Sequence, residues 1–375
     1  MLTPMSHSGP PPSAIADGDA GSRGAPADRE LRATILSACG TDSIVAAARR
    51  VRELPGRLLA DGASADSITA RLTSLNDLLV ERLLESTGAA SALAQAGGCW
   101  LALGSQGRCE QTLVSDQDNA ILFDDGDEPG RRRSALLPLA LQVNRALDLC
   151  GFALCRGNIM ASNSSWCLSL SEWKSRFASW IDRPEPLALL NAAIFFDFRP
   201  VRAADPLAGQ LRRWLSAYAQ GNERFLLLMV FNALNNQPPL GLLRDFVLTR
   251  GGEHPHTLDL KINGVQPFVE AARIFGLSGG IEPTRTVQRL QDTGRGRSLP
   301  PRESAAWCEA FETIQRLRLQ LNVAQMAHNA AIHNNLDPNT LGGPDRKALK
   351  EALRQARNLQ GRLASDFSLA GSGRL

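Results

Sequence analysis

The chain has 375 residues, with 41 basic and 38 acidic side chains and a formal net charge of +3. This length is enough for two or three domains with sizeable apolar cores. The near balance of charge argues against a protein that binds nucleic acid by neutralising many phosphates. The apolar runs that begin at Pro186 and Phe225 are too short for a membrane helix, which needs about 20 residues, so a membrane span is excluded.

The seven cysteines are scattered along the chain without Cys-x-x-Cys spacing. An odd and scattered set fits neither a disulfide framework nor a zinc site. A reducing cytoplasm is therefore the predicted location.

The N-terminal part of the chain divides into two predicted segments. Residues 1–28 are rich in Pro, Gly, Ser and Ala and lack the apolar segment of a secretory signal, so we expect a disordered leader. Residues 29–90 carry apolar side chains at spacings of three and four, which predicts a helical segment. Ser64 stands where the N-cap of one of these helices is expected.

Residues 91–205 change character and predict a small domain that mixes strands and helices. The apolar run at 100–103 ends in Gly-Ser and predicts one strand, and residues 119–123 predict a second. Residues 134–149 have helical spacing, and residues 151–161 have the composition of a third strand.

The rest of the chain is predicted to be mostly helical. Residues 166–181 and 186–198 are apolar segments of helical length, residues 206–368 predict a C-terminal helical domain, and residues 369–375 a flexible tail. The predicted fold class is α+β. A small mixed sheet stands between a helical N-terminal segment and a C-terminal helical bundle.

The most informative pattern joins Gly104 and Ser105, a spacer of ten residues, and the pair Asp116 and Asp118. Side chains two apart on a strand point to the same face, so the two carboxylates would lie side by side. Such a pair suits Mg²⁺, which takes oxygen ligands from carboxylates and substrate phosphates. Gly104 lets the backbone approach a phosphate, Ser105 offers a hydroxyl, and Arg108 offers a bidentate guanidinium. These are the parts needed to hold a nucleoside triphosphate.

The segment GSQGRCEQTLVSDQDNAIL, which starts at Gly104, closely resembles the signature of bacterial nucleotidyltransferases that often follow cyclic-nucleotide-binding and CBS domains. It resembles more distantly the catalytic motif of PII uridylyltransferase and of the DNA polymerase β superfamily. Further similar stretches are CRGNIMASNSSW, FFDFRPV, LDLKINGVQPFVEAARIFGL and NNLDPNTLGGPDRKALKEAL. The resemblance covers residues 40–367 and implies a nucleotidyltransferase catalytic domain at residues 91–205.

The resemblance implies a two-metal transfer of a nucleotidyl group from UTP or ATP. Asp116 and Asp118 would be catalytic metal ligands for Mg²⁺, which Mn²⁺ could replace. Four residues would bind the nucleotide or its phosphates: Gly104, Ser105, Arg108 and Ser115. Four others would support the site: Glu110, Asn158, Arg199 and Lys261.

Members of the superfamily usually add a third catalytic carboxylate, and Asp197 in FFDFRPV is the candidate. If residues 195–201 form a strand, Asp197 and Arg199 share a face and the carboxylate could join the metal site. If the segment is the end of a helix, Asp197 would instead pair with some other basic side chain. The sequence leaves both alternatives open.

The leading hypothesis is an Mg²⁺-dependent enzyme that transfers UMP or AMP to a hydroxyl group, on a regulatory protein by resemblance to PII uridylyltransferase. The alternative is a signal-transduction protein that retains the fold and binds nucleotide without turnover. The presence of Asp116 and Asp118 favours the enzyme, whereas the undecided role of Asp197 favours the binding protein. A polynucleotide substrate is disfavoured by the charge balance and by an aromatic content of only 5%.

Overall fold

The computed structural model describes residues 25–201, 205–241, 246–296 and 300–367. Residues 1–24 of the predicted leader, and all of the predicted tail at 369–375, lie outside this part of the chain. Helix α1 (Ala25–Ser37) begins inside the range for which the sequence predicts a leader.

Three more helices precede the first strand: α2 (Thr41–Ala60), α3 (Ala65–Ser86) and α4 (Ala89–Gln95). Ser64 is the N-cap of α3, where its side chain accepts a hydrogen bond from the Ser67 amide. The apolar side chains at spacings of three and four are all buried along α3: Ile68, Leu72, Leu75, Leu79 and Leu83. They pack into a core that the N-terminal helices share with one face of the sheet.

The central domain contains two small sheets. Its elements are, in chain order, β1 (Cys99–Ala102), α5 (Gly104–Gly107), β2 (Asp116–Gln117), β3 (Asn119–Phe123), α6 (Pro129–Leu149), β4 (Ala153–Leu154), β5 (Cys167–Ser169), α7 (Leu170–Asp182), α8 (Pro186–Phe195) and β6 (Arg199–Pro200). The main sheet has the order β5-β3-β1-β6, in which β3 and β5 are parallel and the other neighbours are antiparallel. Strands β2 and β4 form a separate parallel pair.

The side chains of β1 and β3 alternate between two cores, one on each face of the main sheet. Trp100 and its partner Ile121 belong to the core shared with the N-terminal helices. Leu101 and Leu122 belong to the core shared with the C-terminal helices. A strand covered on both faces has a continuous apolar sequence, which is why both strands could be predicted.

Two segments of the central domain differ from the sequence predictions. In residues 151–161 a strand of two residues, β4, forms, and the chain then turns at Asn158, whose φ is +54°. In residues 166–181, β5 pairs with β3 before α7 begins at Leu170 with a capping box made by Ser169 and Glu172. A strand of three residues is too short to show a periodicity of its own.

The C-terminal part is a helical bundle with one short two-stranded ribbon. Its elements are α9 (Pro206–Gln220), α10 (Glu223–Asn235), β7 (Leu258–Asp259), a π-helical turn (Leu260–Val265), α11 (Gln266–Ser278), α12 (Thr286–Gly296), α13 (Pro301–Ala327), β8 (Asn335–Leu336) and α14 (Gly343–Asp366). Helix α11 is buried at every residue from Pro267 to Leu277 and forms the centre of the bundle. Within the described residues, no helix combines the length and apolarity that crossing a membrane requires. The α+β prediction is confirmed.

Candidate functional site

Two polar side chains that point into the protein orient the segment that carries the aspartates. Gln117 and Asn119 are 3% and 2% exposed, and Asn144 of α6 donates hydrogen bonds to the side-chain oxygens of both, at 2.7 and 2.9 Å. Successive side chains of an extended chain alternate in direction, so Asp116 and Asp118 face the opposite side. Asp116 is exposed and Asp118 is half-buried.

The structure places Cys155 beside the two aspartates. Asp116 of β2 is opposite Ala153 of β4 in a parallel pair, so continuing the register brings Asp118 level with Cys155. One ligand atom from each of Asp116, Asp118 and Cys155 lies within 4.8 Å of the other two. We call these three residues the three-donor group.

The pKa of Asp118 is shifted by its surroundings. Burial and the negative charge of Asp116 raise the pKa of Asp118 to about 6. A hydrogen bond with Cys155 and the positive charges of Lys261 and Arg108 act in the opposite direction. A divalent cation would remove the repulsion between the two carboxylates.

Gly104 lies directly against Asp118. Its φ is +53°, and a Cβ atom at this position would be 3.1 Å from Asp118 Oδ2, so glycine allows both the backbone conformation and the close approach. The amide of Leu103 donates to the Asp118 carbonyl at 3.0 Å. Gly104 and the half-buried Ser105 start α5, where N–H groups have no acceptor within the helix. Their amides are therefore suited to bind an anion beside the carboxylates.

Arg108 is held in a buried ion network. Its Nε donates to Glu110 at 2.8 Å and its Nη1 donates to Asp197 at 3.0 Å. Asp197 also accepts hydrogen bonds from Arg273 of α11 and Arg289 of α12, each at 2.6 Å. All five side chains are at most 9% exposed. We call them the Asp197 network.

Asp197 lies in the turn between α8 and β6, so it is neither a strand residue nor a helix end. Burial alone would raise its pKa, but the charges of Arg273, Arg289 and Arg108 hold that pKa well below the usual range of a carboxyl group. The side chain is 0% exposed, and both of its oxygens accept hydrogen bonds from arginines. Among the described residues, the close group of metal-ligand atoms contains Asp116, Asp118 and Cys155, and not Asp197.

Ser115 and Lys261 lie near the aspartates, Ser115 in the preceding loop and Lys261 in the C-terminal bundle. The Ser115 hydroxyl donates to the Thr112 carbonyl at 3.1 Å and accepts from the Thr112 amide at 3.3 Å, which closes the loop before Asp116. Lys261 is exposed on the π-helical turn of the C-terminal bundle, and its charge reaches Asp118.

The side chains of Arg199 and Asn158 do not join the three-donor group. Arg199 donates to the carboxylate of Asp77 in α3 at 2.8 Å and thereby joins β6 to the N-terminal helices. Asn158 is exposed, and its backbone carbonyl accepts a hydrogen bond from the indole of Trp166 at 3.0 Å. The structure gives neither side chain a contact with the three-donor group.

Sequence reasoning missed Cys155 and Asn144. The spacing of the cysteines gave no signal for Cys155, because the other members of its group are aspartates that are 37 and 39 residues away. A parallel pairing of residues 116–118 with residues 153–155 would have revealed the contact. Asn144 could have been found because it is an amide within an otherwise apolar stretch of helix. A buried amide needs a polar partner.

The donor atoms of the three-donor group fit a divalent cation. The oxygens of Asp116 and Asp118 are hard donors of the kind that bind Mg²⁺ and Mn²⁺. Their closeness leaves a negative charge that a cation would balance. Cys155 adds a softer sulfur donor to the same place.

Two family models match this chain. The first, described as "Putative nucleotidyltransferase DUF294", matches residues 49–187 and includes the three-donor group. The second, described as "Putative nucleotidyltransferase substrate binding domain", matches residues 223–367, which form most of the C-terminal bundle. The chain therefore belongs to this family of nucleotidyltransferases, and the matches support a general nucleotidyltransferase function. A search of curated proteins found no match.

Proposed function

We propose that the protein transfers UMP or AMP from a nucleoside triphosphate to a hydroxyl group on a regulatory protein, as a cytoplasmic signal-transduction enzyme. The observation that supports this most is the position of Asp116 and Asp118 beside the turn at Gly104, within a chain of the nucleotidyltransferase family. The protein acceptor rests on the resemblance to PII uridylyltransferase. Lys261 supports the assignment of a triphosphate substrate, because its positive charge acts on Asp118.

We assign one cation site and one phosphate site to the described residues, where the resemblance to the superfamily implies two metal ions. Asp116 and Asp118 would hold Mg²⁺ or Mn²⁺, and a cation bound there neutralises charge on the triphosphate. The amides of Gly104 and Ser105 and the ammonium of Lys261 bind phosphate oxygens. The acceptor hydroxyl oxygen forms a bond to the α-phosphorus while the bond from that phosphorus to the bridging oxygen breaks. Pyrophosphate leaves, and the hydroxyl proton passes to solvent.

Arg108 acts on the site indirectly in this proposal. Its hydrogen bonds to Glu110 and Asp197 fix the end of α5, so its guanidinium positions the phosphate turn and does not bind phosphate itself. Its charge also lowers the pKa of Asp118. Arg108 is thus a positioning residue for the turn that starts at Gly104.

The buried position of Asp197 favours the second candidate function, a protein that binds nucleotide without turnover. With both oxygens bound to arginines, Asp197 does not supply a third carboxylate to the site. Two carboxylates and a thiol would still hold one cation, and that cation would bind a triphosphate.

Incubation of the protein with labelled UTP or ATP, Mg²⁺ or Mn²⁺ and cell extract separates the two functions. We expect the wild type to label an acceptor and Asp116→Ala to label none. Asp127→Ala, in the exposed turn after β3, should label as the wild type does. Equal labelling by wild type and Asp116→Ala would contradict the enzymatic proposal. Cation-dependent nucleotide binding without any labelling would establish the binding protein.

A further inference from the structure

The third member of the three-donor group is a thiol, where both others are carboxylates. The Cys155 side chain hydrogen-bonds to Asp118, and its sulfur lies within 4.8 Å of a carboxylate oxygen of each aspartate. Atoms this close can bind a single cation, because ligand distances of 2.0–2.6 Å place donors on opposite sides of a metal about 4–5 Å apart. Cys155 therefore lies within reach of any cation that the aspartates hold.

We propose that Cys155 is a ligand of the cation held by Asp116 and Asp118, and that its sulfur makes the site prefer Zn²⁺, a softer transition-metal cation, to Mg²⁺. The inference rests on the proposed function for the role of the cation. Mg²⁺ takes oxygen ligands, whereas thiolate sulfur favours softer metals. On binding, the sulfur–hydrogen bond breaks, a sulfur–metal bond forms, and the proton passes to solvent, with no change of oxidation state.

The backbone around Cys155 holds the sulfur in place. The parallel pairing of β2 with β4 sets the distance from Cys155 to Asp118. The amide of Asn158 donates to the Cys155 carbonyl at 2.9 Å and closes a tight turn directly after the cysteine. The sulfur therefore faces the aspartates before any cation binds.

Cys109 offers a matched control within the same domain. Both Cys109 and Cys155 are half-buried, free thiols. The Cys109 thiol interacts with Arg199 and is not a member of the three-donor group. A cysteine-to-serine change at each position therefore separates the effect of this one sulfur from the general loss of a thiol.

The first test is a titration of the metal-free, full-length protein with Cd²⁺, which gives an ultraviolet charge-transfer band when it binds sulfur. We expect one tight equivalent with this band in the wild type and in Cys109→Ser, and its loss in Cys155→Ser. Asp118→Asn should weaken the binding that gives the band. The same band in Cys155→Ser as in the wild type would overturn the proposal.

The second test compares the affinities for Zn²⁺ and Mg²⁺ by calorimetry without nucleotide. We expect Cys155→Ser to reduce the affinity for Zn²⁺, and with it the preference for Zn²⁺ over Mg²⁺, by at least about tenfold, because even the outer partners of metal ligands contribute that much to metal affinity. Cys155→Asp should raise the affinity for Mg²⁺, because it supplies a third oxygen donor. An unchanged ratio in Cys155→Ser would refute the selectivity. Because both tests omit nucleotide, they can succeed even where the transferase assay fails.

Discussion

Gly107 lies directly against the backbone carbonyl of Asp197. A Cβ atom at position 107 would be 1.9 Å from that oxygen and 2.9 Å from the carbonyl oxygen of Ala102. The Gly107 carbonyl also accepts a hydrogen bond from the Thr284 hydroxyl at 2.7 Å. The second glycine of Gly-Ser-Gln-Gly thus allows α5, the Asp197 turn and the C-terminal bundle to meet at one point.

The first prediction concerns this contact. Gly107→Ala should lower the free energy of unfolding by about 3 kcal/mol or more, because the methyl group meets backbone atoms that cannot turn away. The control is Gly361→Ala in α14, where a Cβ atom has open space and alanine should stabilise the helix by about 0.5–1 kcal/mol. Urea unfolding measures both. Similar stability of Gly107→Ala and the wild type would contradict the close packing.

The second prediction concerns the Asp197 network. Asp197→Asn should cost about 3–5 kcal/mol of stability, because it leaves Arg108, Arg273 and Arg289 buried without their shared counter-charge. Asp127→Asn, in an exposed turn, should change the free energy of unfolding by less than about 0.5 kcal/mol. Equal stability of the two variants would show that the Asp197 network does not stabilise the folded protein.

The stability that Asp197 supplies should also depend on pH. The folded-state pKa of Asp197 is depressed, so its contribution is fully present above the unfolded value of about 3.9 and is lost as the pH falls toward the folded value. The difference in unfolding free energy between wild type and Asp197→Asn should be constant from pH 7 to 5. Below about pH 4 it should shrink by about 1.4 kcal/mol for each pH unit. A difference that grows on acidification would refute the ion network.

The sequence predicted the parts of the site that depend on local geometry. The spacing of Asp116 and Asp118 determines their common direction, because alternation is a property of any extended segment. The place of Asp197 depends on Arg273 and Arg289, which are 76 and 92 residues further along the chain. Sequence periodicity carries no information about such contacts. The same reason explains why Cys155 was missed.

The third prediction uses the repulsion inside the three-donor group. In the presence of a chelator, Asp118→Asn should melt at a higher temperature than the wild type, because it removes a half-buried charge beside Asp116. Added Mn²⁺ should raise the melting temperature of the wild type and leave that of Asp118→Asn nearly unchanged. Thermal shift measurements with and without Mn²⁺ give the melting temperatures of both proteins. An equal shift in both proteins would place the cation elsewhere.

The fourth prediction concerns the amide behind the aspartates. Asn144→Ala removes the hydrogen bonds that the Asn144 side-chain amide donates to Gln117 Oε1 and Asn119 Oδ1, although both side chains keep another partner within the protein, and should cost about 1–3 kcal/mol of stability. Because these side chains orient the Asp116 segment, the affinity for Mn²⁺ should fall as well, in protein that is still folded at low temperature. Calorimetry and urea unfolding measure the two effects separately. Full Mn²⁺ affinity in folded Asn144→Ala would show that the strand keeps its orientation without the amide.

The fifth prediction separates phosphate binding from cation binding. Lys261→Ala should weaken binding of a nucleoside triphosphate at least about tenfold, the usual effect of losing a charge-assisted hydrogen bond. It should leave Mn²⁺ affinity equal or slightly higher, because the positive charge of Lys261 reaches Asp118 and opposes a cation there. Lys347→Ala, an exposed lysine of α14, is the matched control and should bind as the wild type does. Fluorescence titration with a labelled triphosphate and with the corresponding monophosphate measures the effect, which should be smaller for the monophosphate. Equal triphosphate affinity in Lys261→Ala and the wild type would remove this residue from the phosphate site.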